Sequence, residues 1–359
     1  MAVLNASEIA DLVITTLEDL GRMRFQQIAQ PLQEYEVMSH FLKKDRVQID
    51  DGYGIKRTLM LNYGSAARRT GLFGTDDVNV YDHLAQLSVP WRQVTTNWAF
   101  EKREMLMNRG KSLLNKIILP RRAGAMIALA EILETDVWKT LGATDDEAPF
   151  GIPYYIVKDT TTGFNGGHAA GHSSTAGIDV GTYPNYKNYT VTYDTGTAGD
   201  EFTTTNTLKP LRTMHRKLGW RSPVSTPDLG GTTTMNRYRL YVNEAVITGM
   251  EGLGEAQNEN LGRDLARYGG DRDIAQDTLL FRRHPIVWIP KLDDDSQNPV
   301  YMMDLSTWNP VVLRGDFLRE SAPKEAPNQH NTMVVHVDLS YNYVCVDRRR
   351  NGILYDNTL

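Results

Sequence analysis

Residues whose types and spacing could do chemistry are few and scattered. His168 and His172, in Gly167-His168-Ala169-Ala170-Gly171-His172, stand four apart, a spacing that lets two imidazoles share a metal only on a helix; the glycines oppose one, so ordinary loop histidines are expected. Asp293, Asp295 and Asp304 fall at positions one, three and twelve of a calcium loop. Asn298 stands where that loop needs glycine and Asp304 is shorter than the usual glutamate, so a solvated acidic turn is favoured. Gly163-Phe164-Asn165-Gly166-Gly167 and Gly252-Leu253-Gly254 look like pieces of phosphate-cradling loops, but neither follows a strand and opens a helix with the required third glycine or lysine. Tyr183 and Lys187 have a Tyr-x-x-x-Lys spacing inside a Pro- and Asn-rich loop with no dinucleotide fold around it, and there is no nucleophile elbow. The single cysteine, Cys345, excludes an intrachain disulfide and a cysteine-rich metal site; its setting, Tyr343-Val344-Cys345-Val346, reads as a buried strand with an inert thiol. No catalytic, cofactor-binding or metal-binding residues are therefore expected.

Two charged groups point to association instead. Arg68 and Arg69 precede Asp76 and Asp77 in a polar tip, Gly64 to Asp77, between two strand-like runs, where they suit complementary groups on another copy of the chain. Arg348, Arg349 and Arg350 could meet phosphate or the carboxylates of a neighbouring copy, and the acidity of the chain favours the second. A net charge of -5 argues against a dedicated nucleic-acid binder, which must replace counterions with excess Lys and Arg. The N-terminus lacks a signal-like apolar run and no stretch approaches the ~20 apolar residues of a membrane span, so a cytoplasm-like compartment is expected.

The elements that must position these groups are organised around residues 101–141. Met126, Ala130, Leu133, Val137 and Leu141 lie on one face of a helix whose first half carries Leu106, Leu113, Leu114, Ile117 and Ile118. Pro120, helped by Gly124, should kink this spine, and Gly142 is placed to stop it. Before it, Ser7 to Gly21 reads as a short amphipathic helix within an arm. Residues 47–100 read as a hairpin or ribbon with a long tip, lying outside the main core and seeking its partner surface on another chain. After the spine, residues 143–235 predict irregular β structure with long loops. Tyr238 to Val242, Pro285 to Pro290, Val300 to Leu305 and the long alternating run Met333 to Val346 predict strands. Asn243 is placed to cap a helix reaching about Met250, and a further helix is expected from Leu261 to Tyr268.

That order of parts resembles the major capsid protein of tailed bacteriophages, an α+β chain of the Hong Kong 97-like fold with a long spine helix, an extended β-hairpin loop and a mixed axial domain. The stretches most similar to phage capsid sequences are Trp98 to Gly110, Phe150 to Tyr155, Gly163 to Gly167, Tyr238 to Asn243, Val311 to Phe317 and Ser340 to Leu354. The resemblance implies an N-terminal arm over 1–45, the extended loop over 46–100, a peripheral domain from 101–142 and 316–359, and a mainly axial domain over 143–315. It also implies hexamers and pentamers of the chain closing an icosahedral shell around double-stranded DNA. Scaffolding protein, portal and possible decoration protein would be further partners, with no membrane and no cofactor, in a virion assembled in host cytoplasm. The chain departs from some relatives in lacking a long charged coiled coil at its start, so scaffolding must come from a separate protein or by other means. The covalent Lys–Asn crosslink of some relatives has no matching positions here. A nanocompartment shell of the same fold, or a monomeric β-rich glycan binder or hydrolase, are the alternatives.

Overall fold

A computed structural model of the chain describes residues 36, 41–42, 47–62, 69, 72, 83–107, 111–194, 203–220, 237–258, 280–282, 284–327 and 329–357. Strands β1 (Gln48–Asp50), β2 (Ile55–Met60), β3 (Leu84–Val89) and β4 (Arg92–Glu101) lead into helices α1 (Lys102–Met107) and α2 (Lys111–Trp138). The middle of the chain forms α3 (Ile152–Tyr155), β5 (Gly163–Gly166), β6 (Asn188–Tyr193), α4 (Lys209–Lys217), β7 (Tyr238–Val242) and α5 (Glu244–Asn258). The remainder is mostly strand: β8 (Leu280–Phe281), β9 (His284–Trp288), β10 (Val300–Asp304), β11 (Trp308–Leu313), β12 (Arg319–Glu320), β13 (Lys324–Glu325), β14 (Thr332–Cys345) and β15 (Gly352–Asp356).

Two sheets organise these elements. The six-stranded one is built on β14, whose 14 residues pair antiparallel with β4 along one edge and with β11, β12 and β13 in turn along the other. β1 adds to β11 in parallel. Helix α2 lies against β4: Thr96 Oγ1 donates to the Ala125 carbonyl at 3.4 Å and Arg121 Nη1 to the Ala99 carbonyl at 3.2 Å. The seven-stranded sheet runs β5-β6-β15-β10-β7-β9-β8. Its central strands are apolar on both faces, and because side chains alternate sides, each strand feeds two cores. Tyr241, Tyr301, Met303, Ile353 and Tyr355 join Leu133, Val137, Trp138, Tyr341 and Tyr343 in the core shared with the spine and the first sheet. Leu240, Val242, Val300, Met302 and Leu354 face the other way, onto Leu211 and Met214 of α4 and Val246 of α5.

Several sequence expectations change here. Residue 101 ends a strand, so the spine is the pair α1 and α2. At about 1.5 Å per residue, α2 spans about 42 Å over its 28 residues, less than a continuous 101–141 helix would. Pro120 and Gly124, expected to kink the spine, do not end it. A proline removes one intrahelical bond, but the next turn is held from outside: Arg121 grips Glu104 with two bonds, at 2.7 and 2.9 Å, and Arg122 Nε binds Glu320 at 2.7 Å. The helix ends at Trp138, ahead of Gly142, and Gly151 packs so closely that an added Cβ would stand 2.6 Å from the Val137 carbonyl oxygen. The region 143–235 contains helices as well as strands, with α3 at Tyr154-Tyr155 and α4 further on. Helix α5 extends eight residues past Met250, and Asn243 Oδ1 caps it by accepting from the Val246 amide at 3.1 Å. β11 belongs with β14 in the spine's sheet, whereas the terminal β15 lies near the centre of the seven-stranded sheet, between β6 and β10. The chain thus crosses between sheets at 305–307 and again at 346–351. The expected helices at Ser7 to Gly21 and Leu261 to Tyr268 lie outside the described residues.

Candidate assembly interface

The ribbon β2–β3 is paired from Ile55↔Val89 to Met60↔Leu84. Its alternation decides which face is free. Ile55, Leu59, Leu87 and Val89 are buried in the main core, and the Ser88 amide donates to the Ala176 carbonyl at 2.9 Å. Asn185 Nδ2 secures the far end on the Leu61 carbonyl at 3.0 Å. The base of the ribbon therefore rests on its own chain, contrary to the expectation that it lies outside the core: apart from Arg57, which bonds Asp50 and Gln48, the alternate residues of this face are apolar and join the core. The opposite face is uncovered. Met60 and Leu84, directly paired at the end nearest the tip, are 67% and 58% exposed. Of the charged tip residues, Arg69 is exposed; Arg68, Asp76 and Asp77 lie outside the described residues.

Of the arginine block, Arg348 departs from the expectation of a contact with another copy, while Arg349 and Arg350 are exposed. Asp347 caps the single 3-10 turn of Arg348–Arg350 by accepting from the Arg349 amide at 3.0 Å, and the turn aims the three side chains apart. Arg348 is fully buried. Its Nε donates to the Tyr155 carbonyl at 2.5 Å, Nη1 to the Tyr186 carbonyl at 3.0 Å and to Thr175 Oγ1 at 3.3 Å. Nη2 reaches the Gly167 carbonyl at 2.8 Å, Asn188 Oδ1 at 3.0 Å and the Gly166 carbonyl at 3.4 Å. Every acceptor is neutral, and the guanidinium also faces the Tyr186 ring at 5.4 Å. Burial lowers its pKa from the usual value of 12.5. Arg348 is thus the pin of the loop-rich region, gathering residues 155, 166–167, 175 and 186–188 around one cation. Arg349 binds Asn185 Oδ1 at 2.7 Å and covers the Phe164 ring at 4.6 Å. Arg350 lies 3.4 Å from Asp347 and 3.7 Å from Asp304.

The remaining candidates also bond within the chain. Asp304, wholly buried, accepts from Arg237 at 2.9 and 3.0 Å and from Ser306 Oγ at 2.7 Å where the chain crosses between sheets. Asp293 accepts from Trp288 Nε1 and the Glu244 amide, and Asp295 from Lys158 Nζ at 2.6 Å, so these carboxylates serve as separate clasps. His168 bonds Thr175 Oγ1 at 3.1 Å and Asp179 at 3.3 Å, while His172 packs edge-on against Tyr154. Among the described residues no group of three or more His, Cys, Asp or Glu is placed to hold a metal ion. Cys345 is buried, and burial pushes its thiol up to about 12. No described helix is long and apolar enough to cross a membrane. Sequence reasoning missed Asn188 and Asn342, buried amides that tie loops to strands through Val157 and through Phe150 and Pro90. Asparagine inside an apolar strand run is the signal that marks them.

No protein-family profile matches the chain, and no curated protein matches it by sequence. Solved structures do match it by fold. Alignment with the cyanophage A-1(L) capsid asymmetric unit covers 97% of this chain and 99% of that one, at a TM-score of 0.61 and 16% identity. The cyanophage Pam1 capsid asymmetric unit aligns over 94% and 96%, with a TM-score of 0.53 and 12% identity. A structure of Mycobacterium phage Bobi covers 99% of both chains, with a TM-score of 0.51 and 10% identity. These likenesses define the class of fold: the α+β, Hong Kong 97-like architecture of tailed-phage capsid subunits, running through almost the whole chain.

Proposed function

We propose that the chain is the major capsid protein of a tailed bacteriophage, a structural subunit that self-assembles into hexamers and pentamers of an icosahedral shell enclosing double-stranded DNA. The observation that carries this reading is coverage. The fold of a phage capsid subunit extends over 97% of the chain and leaves almost nothing with which to build a separate catalytic domain. The ribbon adds support, because its uncovered face presents Met60 and Leu84 at the neck of a charged tip. In this reading residues 46–100 are the extended loop that reaches a neighbour. The spine and the β14 sheet form the peripheral part, and the seven-stranded sheet with α4 and α5 the axial part at capsomer centres. DNA is held without sequence specificity, as befits a chain of net charge -5. Scaffolding protein, portal and a decoration protein are the further partners, and the shell is built in host cytoplasm and remains in the virion.

Negative-stain microscopy of the expressed chain, alone and with candidate scaffolding protein, tests the reading. Capsomers or procapsid-like shells are expected. A small, uniform shell formed by the chain alone, with protein cargo, assigns it instead to a nanocompartment; a strict monomer with reproducible glycan binding or hydrolysis overturns both.

A further inference from the structure

Helix α4 has two chemically opposite faces. Leu211 and Met214 are fully buried against the seven-stranded sheet with Leu218 beside them, and the packing onto β15 is close: a Cβ added at Gly352 would stand 2.9 Å from Met214 Sδ and 3.2 Å from Leu218 Cδ1. That contact fixes the roll of the helix. Residues three, four and seven apart share one side of a helix, so Lys209, Arg212, Arg216 and Lys217 fall on the side away from the sheet, and all four are exposed. The helix contains no acidic residue. Arg282, also exposed, brings a fifth cation to its flank, with Nη1 3.2 Å from His215 Nδ1.

These cations have no counterpart within the chain. Exposed guanidiniums elsewhere do: Arg122 meets Glu320, Arg314 meets Asp51 and Arg319 meets Asp316. Among the described residues, none of Lys209, Arg212, Arg216, Lys217 and Arg282 stands within ion-pair distance of a carboxylate. Lys209 and Arg216 are seven residues apart, about 10 Å of helix, so the positive charge is dense. Near physiological ionic strength a charge is felt over about 8–10 Å, so a ligand on this face meets the local charge and not the net -5 of the chain. The face also lacks what a protein partner needs. Protein interfaces are anchored by aromatic and apolar side chains, and no large apolar side chain of residues 203–220 is exposed. A phosphate backbone is bound through charge and N–H donors, with no apolar anchor.

We propose that the exposed face of α4, with Arg282, binds the phosphate backbone of double-stranded DNA without reading its sequence, and is turned to the interior of the shell. The inference rests on the reading of the chain as a DNA-enclosing shell subunit and adds the surface at which that DNA is met. Each neutralised phosphate contributes about -0.9 to the slope of log K against log salt, so four or five contacts give a slope of about -4 and a loss of a few hundredfold, roughly, between about 50 and about 200 mM salt.

Fluorescence anisotropy of a labelled duplex of arbitrary sequence, titrated with the full chain at a series of salt concentrations, tests this. Far-UV circular dichroism establishes that each sample is folded. Wild type should bind with a slope of about -4, and Arg212→Gln with Arg216→Gln should make the slope shallower by about 2 and weaken binding about fiftyfold near 0.1 M salt. Lys139→Gln with Lys324→Gln, an equal loss of exposed charge elsewhere, should leave the slope unchanged. No binding by wild type, a wild-type slope shallower than about -2, or a control pair that weakens binding as much as the α4 pair overturns the proposal. Polyglutamate that binds wild type more tightly than the duplex, at equal concentration of charge, assigns the face to an acidic protein and overturns it as well. If the α4 variant misfolds, the wild-type slope and this competition decide. Electron microscopy of the same samples separates the two readings: shells without duplex binding overturn the DNA face alone, whereas duplex binding through α4 by a chain that forms no capsomers overturns the shell subunit and leaves the binding face standing.

Discussion

Replacing Arg348 with methionine keeps much of the aliphatic volume and removes every hydrogen bond of the pin. Four acceptors lie within 3.0 Å: the carbonyls of Tyr155, Tyr186 and Gly167, and Asn188 Oδ1. Asn188 Oδ1 keeps the Val157 amide, so three acceptors lose their donor; at about 1–3 kcal/mol each the gross loss is about 3–9 kcal/mol. Relief from burying an unpaired cation returns several kcal/mol of that. A net destabilisation of about 2–5 kcal/mol is expected, against a typical total of about 5–15 kcal/mol. At about 2–4 °C per kcal/mol, the melting temperature should fall by roughly 4–20 °C. Urea titration and thermal melting measure both, with Arg349→Ala as the comparison. Arg349 rests on the exposed side of Phe164 and Asn185, and its loss should cost less than about 1 kcal/mol. The reasoning is refuted if Arg348→Met stays within about 1 kcal/mol of wild type, or if Arg349→Ala proves as damaging.

Three further outcomes are expected. Gly124 sits in the exposed middle of α2 and an added Cβ would meet nothing within 4 Å, so Gly124→Ala should raise stability by about 0.5–1 kcal/mol in denaturant titration; a loss would mean that the spine bends there. Burial, with help from Arg282 and His284, depresses His215 to about 4. It is neutral when folded while the unfolded imidazole charges below about 6.5, so its contribution to stability is lost as pH falls from that value toward 4, and His215→Phe should flatten this limb of the stability profile. In the ribbon tip, Arg68→Glu with Arg69→Glu should leave the subunit folded with an unchanged melting temperature but suppress closed shells, with raised salt weakening wild-type assembly in the same direction; normal shells from the double mutant would remove the tip from the interface.

The strands are legible where one physical rule dominates. Tyr238–Val242 and Thr332–Cys345 are runs of β-branched and aromatic residues, and they appear within a residue of where their pattern ends. Leu133 and Val137 are buried on the spine as their helical spacing requires. Helix α4 was written in the sequence as Leu211, Met214 and Leu218 behind Pro210, but a Thr- and Gly-rich neighbourhood masks so short a period. The start of α1 was hidden for another reason. Residues 92–101 alternate as a strand should, and only the ten-residue pairing with β14, remote in sequence, overrides the helical reading of Glu101.

The candidate site divides along the same line. Cys345 and the absence of any motif spacing are local properties, so the reading of an inert thiol needs no tertiary information. The arginine block does need it. Three adjacent guanidiniums look alike in sequence, and only the fold decides that one enters the interior, one lies over Phe164 and one stands beside Asp304. The decisive groups are carbonyls of Tyr155, Gly167 and Tyr186, and backbone oxygens leave no mark on residue identity. The same holds at the joint between spine and sheets, where Glu36 meets Arg239 across 203 residues of chain. A buried cation whose partners are all main-chain acceptors is therefore invisible to motif reasoning, whereas a surface that seeks a second copy is read from what one subunit leaves uncovered, as Met60 and Leu84 are on the ribbon.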